Sequence, residues 1–347
     1  MINVGIAGIG FMGMIHYLAF QRLAKARVRA ICEQDPERLG GDWRSIRGHF
    51  GPEGRMMDLS GVSRYARFEE MLADPRLDVI DICMPPAEHA PAAIAAMRAG
   101  KHVFCEKPLA LNPSDAERMI RAARSAGRML LVGHVLPFFP EYRFLLQTIR
   151  TAKFGRALGG SFKRLIADPA WMSDFFDPGV TGGPMLDLHI HDAHFIRLAF
   201  GMPQAVQTIG RARGQVAEWF QTQFVFRDRQ LAVAATGGVI GQQGRPFAHG
   251  YEVYLERATI AFDAATLGTQ SVVTMPVTVL TDNGRVLRPK LNVGDPVEAF
   301  VGELNEVVRS IRTGEPSPLL DGEIARDAVV LCHRQTQSLL RGRAMSV

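Results

Sequence analysis

The sequence predicts a two-part fold: an N-terminal α/β domain over residues 1–133 with a doubly wound parallel sheet, then an α+β domain over residues 134–347 with a large, mainly antiparallel open sheet. Three observations lead there. Up to Gly133, short continuous apolar runs alternate with helical patterns, as in parallel strands covered on both faces. Beyond Gly133, polar and apolar residues alternate with period two, as in an antiparallel sheet with one covered face. A length of 347 residues also corresponds to about two ordinary domains.

In chain order, residues 2–7 are a β-branched run and form the first strand, followed by glycines and a helix over 12–24. Residues 28–33 read as the second strand. Residues 39–62, rich in Gly and Arg with no clear period, read as an irregular excursion. Further strands are expected at 77–83, 102–105 and 129–132, with helices at 90–99 and 114–126 between them. The second of these helices opens on Asn112-Pro113, a start signal. A helix at 141–150 then leads into alternating stretches at 160–166, 205–213, 219–226, 230–236 and 251–262. One helix interrupts them at 184–200, and 297–340 returns to helix, broken by Thr313-Gly-Glu-Pro-Ser-Pro318.

Composition excludes several classes. Hydrophobic residues at 47% and charged residues at 22% rule out a disordered chain, collagen and coiled coil. Forty Lys and Arg against 35 Asp and Glu leave a charge of +5, but the basic residues are scattered, so no nucleic-acid partner is expected. No apolar run approaches the ~20 residues that span a bilayer, and the N-terminus lacks the basic region of a secretion signal. Cys32, Cys83, Cys105 and Cys332 show no C-x-x-C spacing and read as free thiols. A cytoplasmic protein with no membrane partner is expected.

Three groups carry chemistry. Gly8-Ile9-Gly10-Phe11-Met12-Gly13 follows the first strand and opens the first helix. Gly8 suits a tight turn, Gly10 lets backbone approach a pyrophosphate, and Gly13 lets helix pack on strand. Glu33 stands at the end of the second strand, where a carboxylate meets adenosine ribose hydroxyls. Together these predict a Rossmann dinucleotide site. NAD is the expected cofactor because an acid there repels a 2′-phosphate; Arg38 nearby leaves NADP as the less favoured choice.

The second group is Met84-Pro85-Pro86-Ala87-Glu88-His89 with Cys105-Glu106-Lys107-Pro108, at the carboxyl ends of two parallel strands, where open sheets place ligands. The third is Gly182-Gly183-Pro184-Met185-Leu186-Asp187-Leu188-His189-Ile190-His191-Asp192-Ala193-His194. On one helix, Asp187 and His191 are i,i+4 neighbours, an acid–imidazole pair suited to proton transfer. Asp187, His191 and His194 share a stripe, but Asp187 to His194 spans about 10.5 Å, too far for one ion, so no metal is expected.

These groups in this order resemble the Gfo/Idh/MocA family of NAD(P)-dependent oxidoreductases, relatives of glucose–fructose oxidoreductase and inositol dehydrogenase. The resemblance implies that Lys107 lies beside nicotinamide and substrate, that His191 is the acid–base group, and that Asp187 orients it. It also implies that Gly8, Gly10, Phe11, Met12 and Gly13 form the pyrophosphate loop and that Glu33 binds ribose. Pro85, His89, Glu106 and Lys107 are then further cofactor contacts. Met84 and Pro86 depart from the family's T-P-N pattern. His134 stands where relatives often carry asparagine and is a substrate candidate. The family further implies a homodimer or homotetramer built through the C-terminal sheet.

The expected reaction is reversible hydride transfer between a nicotinamide and a secondary alcohol of a sugar or cyclic polyol. Trp171 and Asp174 are candidate substrate contacts before the catalytic helix. Two alternatives use the same residues: a glycoside hydrolase or lyase that oxidises its substrate transiently with NAD, and a dinucleotide-binding sensor without catalysis. The sensor has no need of Lys107, Asp187 and His191 together.

Overall fold

The computed structural model describes residues 1–347 apart from His49, Trp171 and Val293. The elements run β1 (Ile2–Ala7), α1 (Phe11–Phe20), β2 (Ala26–Cys32), α2 (Pro36–Gly40), β3 (Ser63–Tyr65), α3 (Phe68–Leu72), β4 (Val79–Ile82), α4 (Pro86–Arg98), β5 (His102–Glu106), α5 (Pro113–Ala126) and β6 (Leu130–Gly133). Next come α6 (Pro140–Arg150), β7 (Ala157–Ala167), α7 (Gly183–Asp187), α8 (Ile190–Phe200), β8 (Ala205–Arg213), β9 (Val216–Val225), β10 (Ala232–Ile240) and β11 (Phe247–Leu255). The last are β12 (Ala258–Leu267), β13 (Gln270–Thr281), β14 (Val286–Leu287), α9 (Val297–Thr313), α10 (Gly322–Arg341) and β15 (Met345–Ser346).

Packing divides the chain into two units. The first comprises Met1–Ala110, Ser114–Phe139 and Val293–Arg326; the second comprises Leu111–Pro113, Pro140–Asn292 and Asp327–Val347. The chain passes between them more than once, which a single boundary near Gly133 does not describe.

The first unit holds a six-stranded parallel sheet in the order β3-β2-β1-β4-β5-β6. All four residues of the central strand β4 and of the edge strand β6 are buried, so the sheet is covered out to that edge. Helix α5 buries Ala116, Met119, Ile120 and Ala123, the i, i+3, i+4, i+7 stripe of an amphipathic helix. Helix α9 packs on α1 and adds Phe300, Leu304, Val307 and Val308 to the same core as Met14 and Ile15. The stretch read as irregular is bordered by two short helices and a strand that periodicity did not reveal. One had a legible start: Asp35 caps α2 by accepting hydrogen bonds from the Glu37 and Arg38 N–H groups, with Pro36 next in line.

The second unit holds a nine-stranded sheet, β14-β13-β12-β11-β7-β10-β9-β8-β15, antiparallel except for the parallel pair β10–β7. Strand β9 shows the alternation directly, with Phe220, Thr222 and Phe224 buried and Gln221, Gln223 and Val225 exposed. Residues 251–262, expected as one strand, are two. A tight turn at Glu256-Arg257 reverses the chain between β11 and β12, and Leu255 pairs with Ala258. That turn contains neither Gly nor Asn, so the usual hairpin signal was missing. Glu256 steadies it by accepting from the Arg156 backbone N–H at 3.2 Å and its Nε at 3.0 Å.

Two histidines of this unit are held neutral by burial. His189 is fully enclosed, edge-on to Phe220, and its pKa is pushed down to about 4. His249 sits among Tyr142, Phe247 and Phe262 and is pushed down to about 3. An unfolded histidine gains its proton near 6.5, so below that pH the unfolded chain binds more protons than the folded one. Stability is therefore expected to fall as pH drops from about 6.5 toward 3–4. Urea melts at stepped pH measure this, and the acid slope should lessen in His249→Leu.

Candidate active site

The glycine loop fits a dinucleotide. Gly8 has φ +92°, and a Cβ there would sit 2.7 Å from the Cys83 carbonyl oxygen. A Cβ on Gly13 would meet the Gly8 carbonyl oxygen at 2.0 Å, so only glycine lets α1 start this close to the strand ends. Gly10 is different: a Cβ there meets nothing within 4 Å, leaving the outer side of the loop open to a ligand. Gly10 is also the N-cap of α1 and has no side chain to cap it, so the N–H groups of the first turn suit a phosphate. Phe11 packs edge-on against Phe50 at 4.9 Å, and Met12 is half-buried beside it.

Glu33 lies just past β2 and grips backbone. Its Oε2 accepts from the Ile9 N–H at 2.7 Å, and its Oε1 accepts from Gln34 and Asp35 N–H groups at 2.8 and 3.0 Å. The carboxylate thus ties the glycine loop to the end of the next strand. Arg38 lies 3.5 Å from Asp35 in an ion pair.

At the ends of β4 and β5 the structure sets two turns side by side. His89 is buried in α4; its Nδ1 is 2.8 Å from the Pro108 carbonyl oxygen and its Nε2 is 2.8 Å from that of Met84. The ring therefore staples the Met84 turn to the Lys107-Pro108 turn, whose peptide bond is cis. Pro85 is exposed at the start of α4. Glu106 is buried at the end of β5; its Oε2 accepts from the Lys107 N–H at 3.0 Å and its Oε1 lies 3.1 Å from His16 Nε2. Lys107 itself is half-buried.

The second unit carries Asp187 and His191, and here the structure corrects an expectation. The helix expected over 184–200 is two helices, α7 and α8, with a break at Leu188 and His189. The N–H groups of Leu188 and His189 both donate to the Pro184 carbonyl oxygen, at 3.2 and 3.0 Å, so the chain widens by one residue there. Asp187 ends α7 and His191 is the second residue of α8; both are half-buried. Gly183, at φ +71°, opens α7, where a Cβ would sit 2.9 Å from Val216. Helix α8 is anchored by a buried ion pair: Arg164 of β7 donates to Asp192 from Nε at 2.7 Å and Nη2 at 3.1 Å. Arg164 Nη2 also donates to the Tyr142 hydroxyl at 3.4 Å, which lies 3.0 Å from His249 Nδ1.

The loop, strand-end turns and helix pair can be set beside known proteins. A family model described as the oxidoreductase family with an NAD-binding Rossmann fold, GFO_IDH_MocA, matches residues 2–134, and that of the GFO/IDH/MocA C-terminal domain matches residues 142–261. The chain belongs to the Gfo/Idh/MocA family. Among curated members, the myo-inositol 2-dehydrogenase of Thermotoga maritima is 26% identical over 100% of this chain and 98% of its own. Solved structures share the fold at lower identity. An aldose-aldose oxidoreductase from Caulobacter crescentus has TM-score 0.81 at 21% identity, covering 100% and 99% of the two chains. An oxidoreductase from Agrobacterium radiobacter, in complex with NAD+, L-tartaric acid and magnesium, has TM-score 0.80 at 17% identity, covering 99% and 98%. As a Gfo/Idh/MocA protein, the chain is an oxidoreductase with an NAD-binding Rossmann domain.

The remaining candidates of this Gfo/Idh/MocA chain are dispersed. His134 follows β6 and is fully buried in the first unit. Asp174 is exposed in the second unit, 3.1 Å from the Ser173 hydroxyl that donates to it. Trp171 lies outside the described residues. The residues that sequence reading missed are the buried polar ones that hold the site: Arg164, Asp192 and Tyr142 in the second unit, and His16 and Asp81 in the first. Their signal was a lone polar residue in an apolar stretch, as His16 is in Phe11–Phe20 and Asp81 in Val79–Ile82.

Asp192→Asn leaves the Arg164 charge buried without its counter-ion and is expected to destabilise the protein by about 3–5 kcal/mol in urea melts. The double variant Arg164→Met/Asp192→Leu, which removes both charges, should recover most of that loss.

Proposed function

We propose that the protein is a dehydrogenase that moves a hydride reversibly between NAD and a secondary alcohol of a sugar or cyclic polyol. The observation that carries this reading is the half-buried Asp187 and His191 on either side of a helix break, in a chain whose first unit bears a dinucleotide loop and a Glu-Lys-Pro turn. The bound nicotinamide supplies the hydride acceptor for oxidation and the donor for reduction. The chain's own residues do the rest. His191 takes up the hydroxyl proton in oxidation and gives it back in reduction. Asp187 sets the imidazole tautomer and favours the imidazolium that forms. The family resemblance gives Lys107 the part of stabilising the negative charge that builds during the transfer.

In this reading Gly8, Gly10, Phe11, Met12 and Gly13 cradle the pyrophosphate and Glu33 meets the adenosine ribose. Glu33 already accepts three backbone N–H groups, which leaves one acceptor site on Oε2 for a ribose hydroxyl. The same carboxylate disfavours a 2′-phosphate, and the nearest arginine of α2, Arg38, is engaged with Asp35, which supports NAD over NADP. Glu106 contacts the nicotinamide ribose, and Pro85 and His89 shape the adjoining wall, His89 through its grip on both turns. His134, Trp171 and Asp174 remain candidate substrate contacts. A polyhydroxy ring as substrate is supported by the whole-length likeness to a protein named myo-inositol 2-dehydrogenase.

A homodimer or homotetramer through the nine-stranded sheet belongs to the same proposal. It is supported by Ile209, Val273 and Val286, which are 63%, 53% and 61% exposed on that sheet. So does a cytoplasmic location, supported by four free cysteines. Among the described residues no helix is long and apolar enough to cross a membrane.

The test is a panel of sugars and inositols with NAD+ and with NADP+, followed by absorbance of the reduced nicotinamide. NAD+ is expected to support turnover of at least one polyhydroxy substrate. Lys107→Ala and His191→Ala should each lower kcat about 10²–10⁴-fold while dinucleotide binding survives. Near-normal turnover in both variants would overturn the assignment.

A further inference from the structure

Four ionisable side chains of the first unit gather around one imidazole. His16 of α1 is fully buried. Its Nδ1 lies 2.9 and 3.2 Å from the two Asp81 carboxylate oxygens and 3.3 Å from Cys83 Sγ. On the other side of the ring, Nε2 lies 3.1 Å from Glu106 Oε1. Phe104 stacks on the ring at 5.5 Å, and Phe300 of α9 lies tilted at 6.0 Å. Glu303, also on α9 and fully buried, completes the group.

One carboxylate hydrogen-bonded at Nδ1 and a second in ion-pair contact beside Nε2 favour the imidazolium form of the ring. Burial works against that charge, but Asp81 and Cys83 together outweigh it and hold the His16 pKa well above the ordinary 6.5. Glu303 goes the other way. Burial, reinforced by the negative charge of Glu106, pushes its carboxyl well above 4.5 and keeps it a neutral acid.

The Glu106 carboxylate is thereby held on three sides. His16 faces Oε1, the Lys107 N–H donates to Oε2, and Gly133 leaves room for Oε1 where a Cβ would come within 2.9 Å. We propose that His16 is a positioning residue: its ring, clamped between Asp81 and Glu106, fixes the Glu106 carboxylate and with it the turn from which Lys107 projects. The role rests on Lys107 acting in the reaction proposed above. A ring protonated on both nitrogens has no lone pair to give, so the role predicts no metal at His16, Asp81 and Cys83, whose ligand atoms all lie within 4.8 Å of one another.

The test begins on the wild-type protein with NMR of the histidine ring nitrogens, the His16 signals being assigned by their loss in His16→Gln. Both nitrogens are expected to be protonated at neutral pH and to stay so above the ordinary histidine range. A bare ring nitrogen at neutral pH overturns the clamp. So does uptake of Co²⁺ with a thiolate charge-transfer band that Cys83→Ala abolishes. In His16→Gln, kcat is expected to fall on the order of 100-fold, while the dinucleotide Kd changes less than about threefold. The Lys107 amide resonance should move in the same variant. Gly133→Ala, which crowds Oε1 from the opposite side, should move that resonance too. A Lys107 amide unmoved in both variants overturns the positioning role. The ring and amide signals are read without substrate, so their failure is distinct from failure of the sugar–polyol reading, which the alcohol panel decides.

Discussion

Taking a carboxylate and a guanidinium out of water costs several kcal/mol per ion, and attraction repays it only when geometry and hydrogen bonding are close to ideal. The second unit meets that condition with Arg164 and Asp192, whose paired contacts at 2.7 and 3.1 Å lie almost wholly away from solvent. Because Asp192 follows His191 directly, the pair sets where α8 sits on β7 and hence where the His191 backbone stands. The Tyr142 hydroxyl and the neutral His249 extend the same network to α6 and β11. Loosening the pair would release the helix start, and not merely one contact.

The first unit solves the same problem with different partners. Glu33 is met by three backbone N–H groups, which makes a ribose-binding candidate also the tether of the glycine loop. His89 likewise spends both ring nitrogens on backbone and joins two turns that are far apart in sequence. Residues that a motif labels as ligand contacts therefore also build the loops that would make the contact. Substituting them changes loop shape together with any lost hydrogen bond.

Much of this was legible in the sequence, and what was not has physical reasons. The strands of the parallel sheet announced themselves because both faces are covered, so β1 and β4 are apolar apart from Asn3 and Asp81. The glycine loop was legible because its backbone tolerates no Cβ at Gly8 and Gly13. The hairpin between β11 and β12 was missed because Glu256-Arg257 lacks turn residues and is steadied by Arg156, a hundred positions away. The break between α7 and α8 was missed because 184–200 contains no helix breaker after Pro184; a backbone carbonyl shared by two donors makes it. His16 and Asp81 escaped notice because a single polar residue in an apolar run means nothing until its partners, from other elements, are known.

The return of α9 to the first unit bears on how the chain is made. Helix α1 carries the glycine loop at its start, yet part of the core around it, including Phe300, Leu304 and Val307, comes from residues near position 300. On a ribosome, the first unit has all its strands early but lacks this cover until most of the chain has emerged. Met14, Ile15 and the charged cluster at His16 wait in an unfinished core through that interval. The dinucleotide unit is the first to begin and among the last to be completed, so its maturation is tied to synthesis of the unit that follows it.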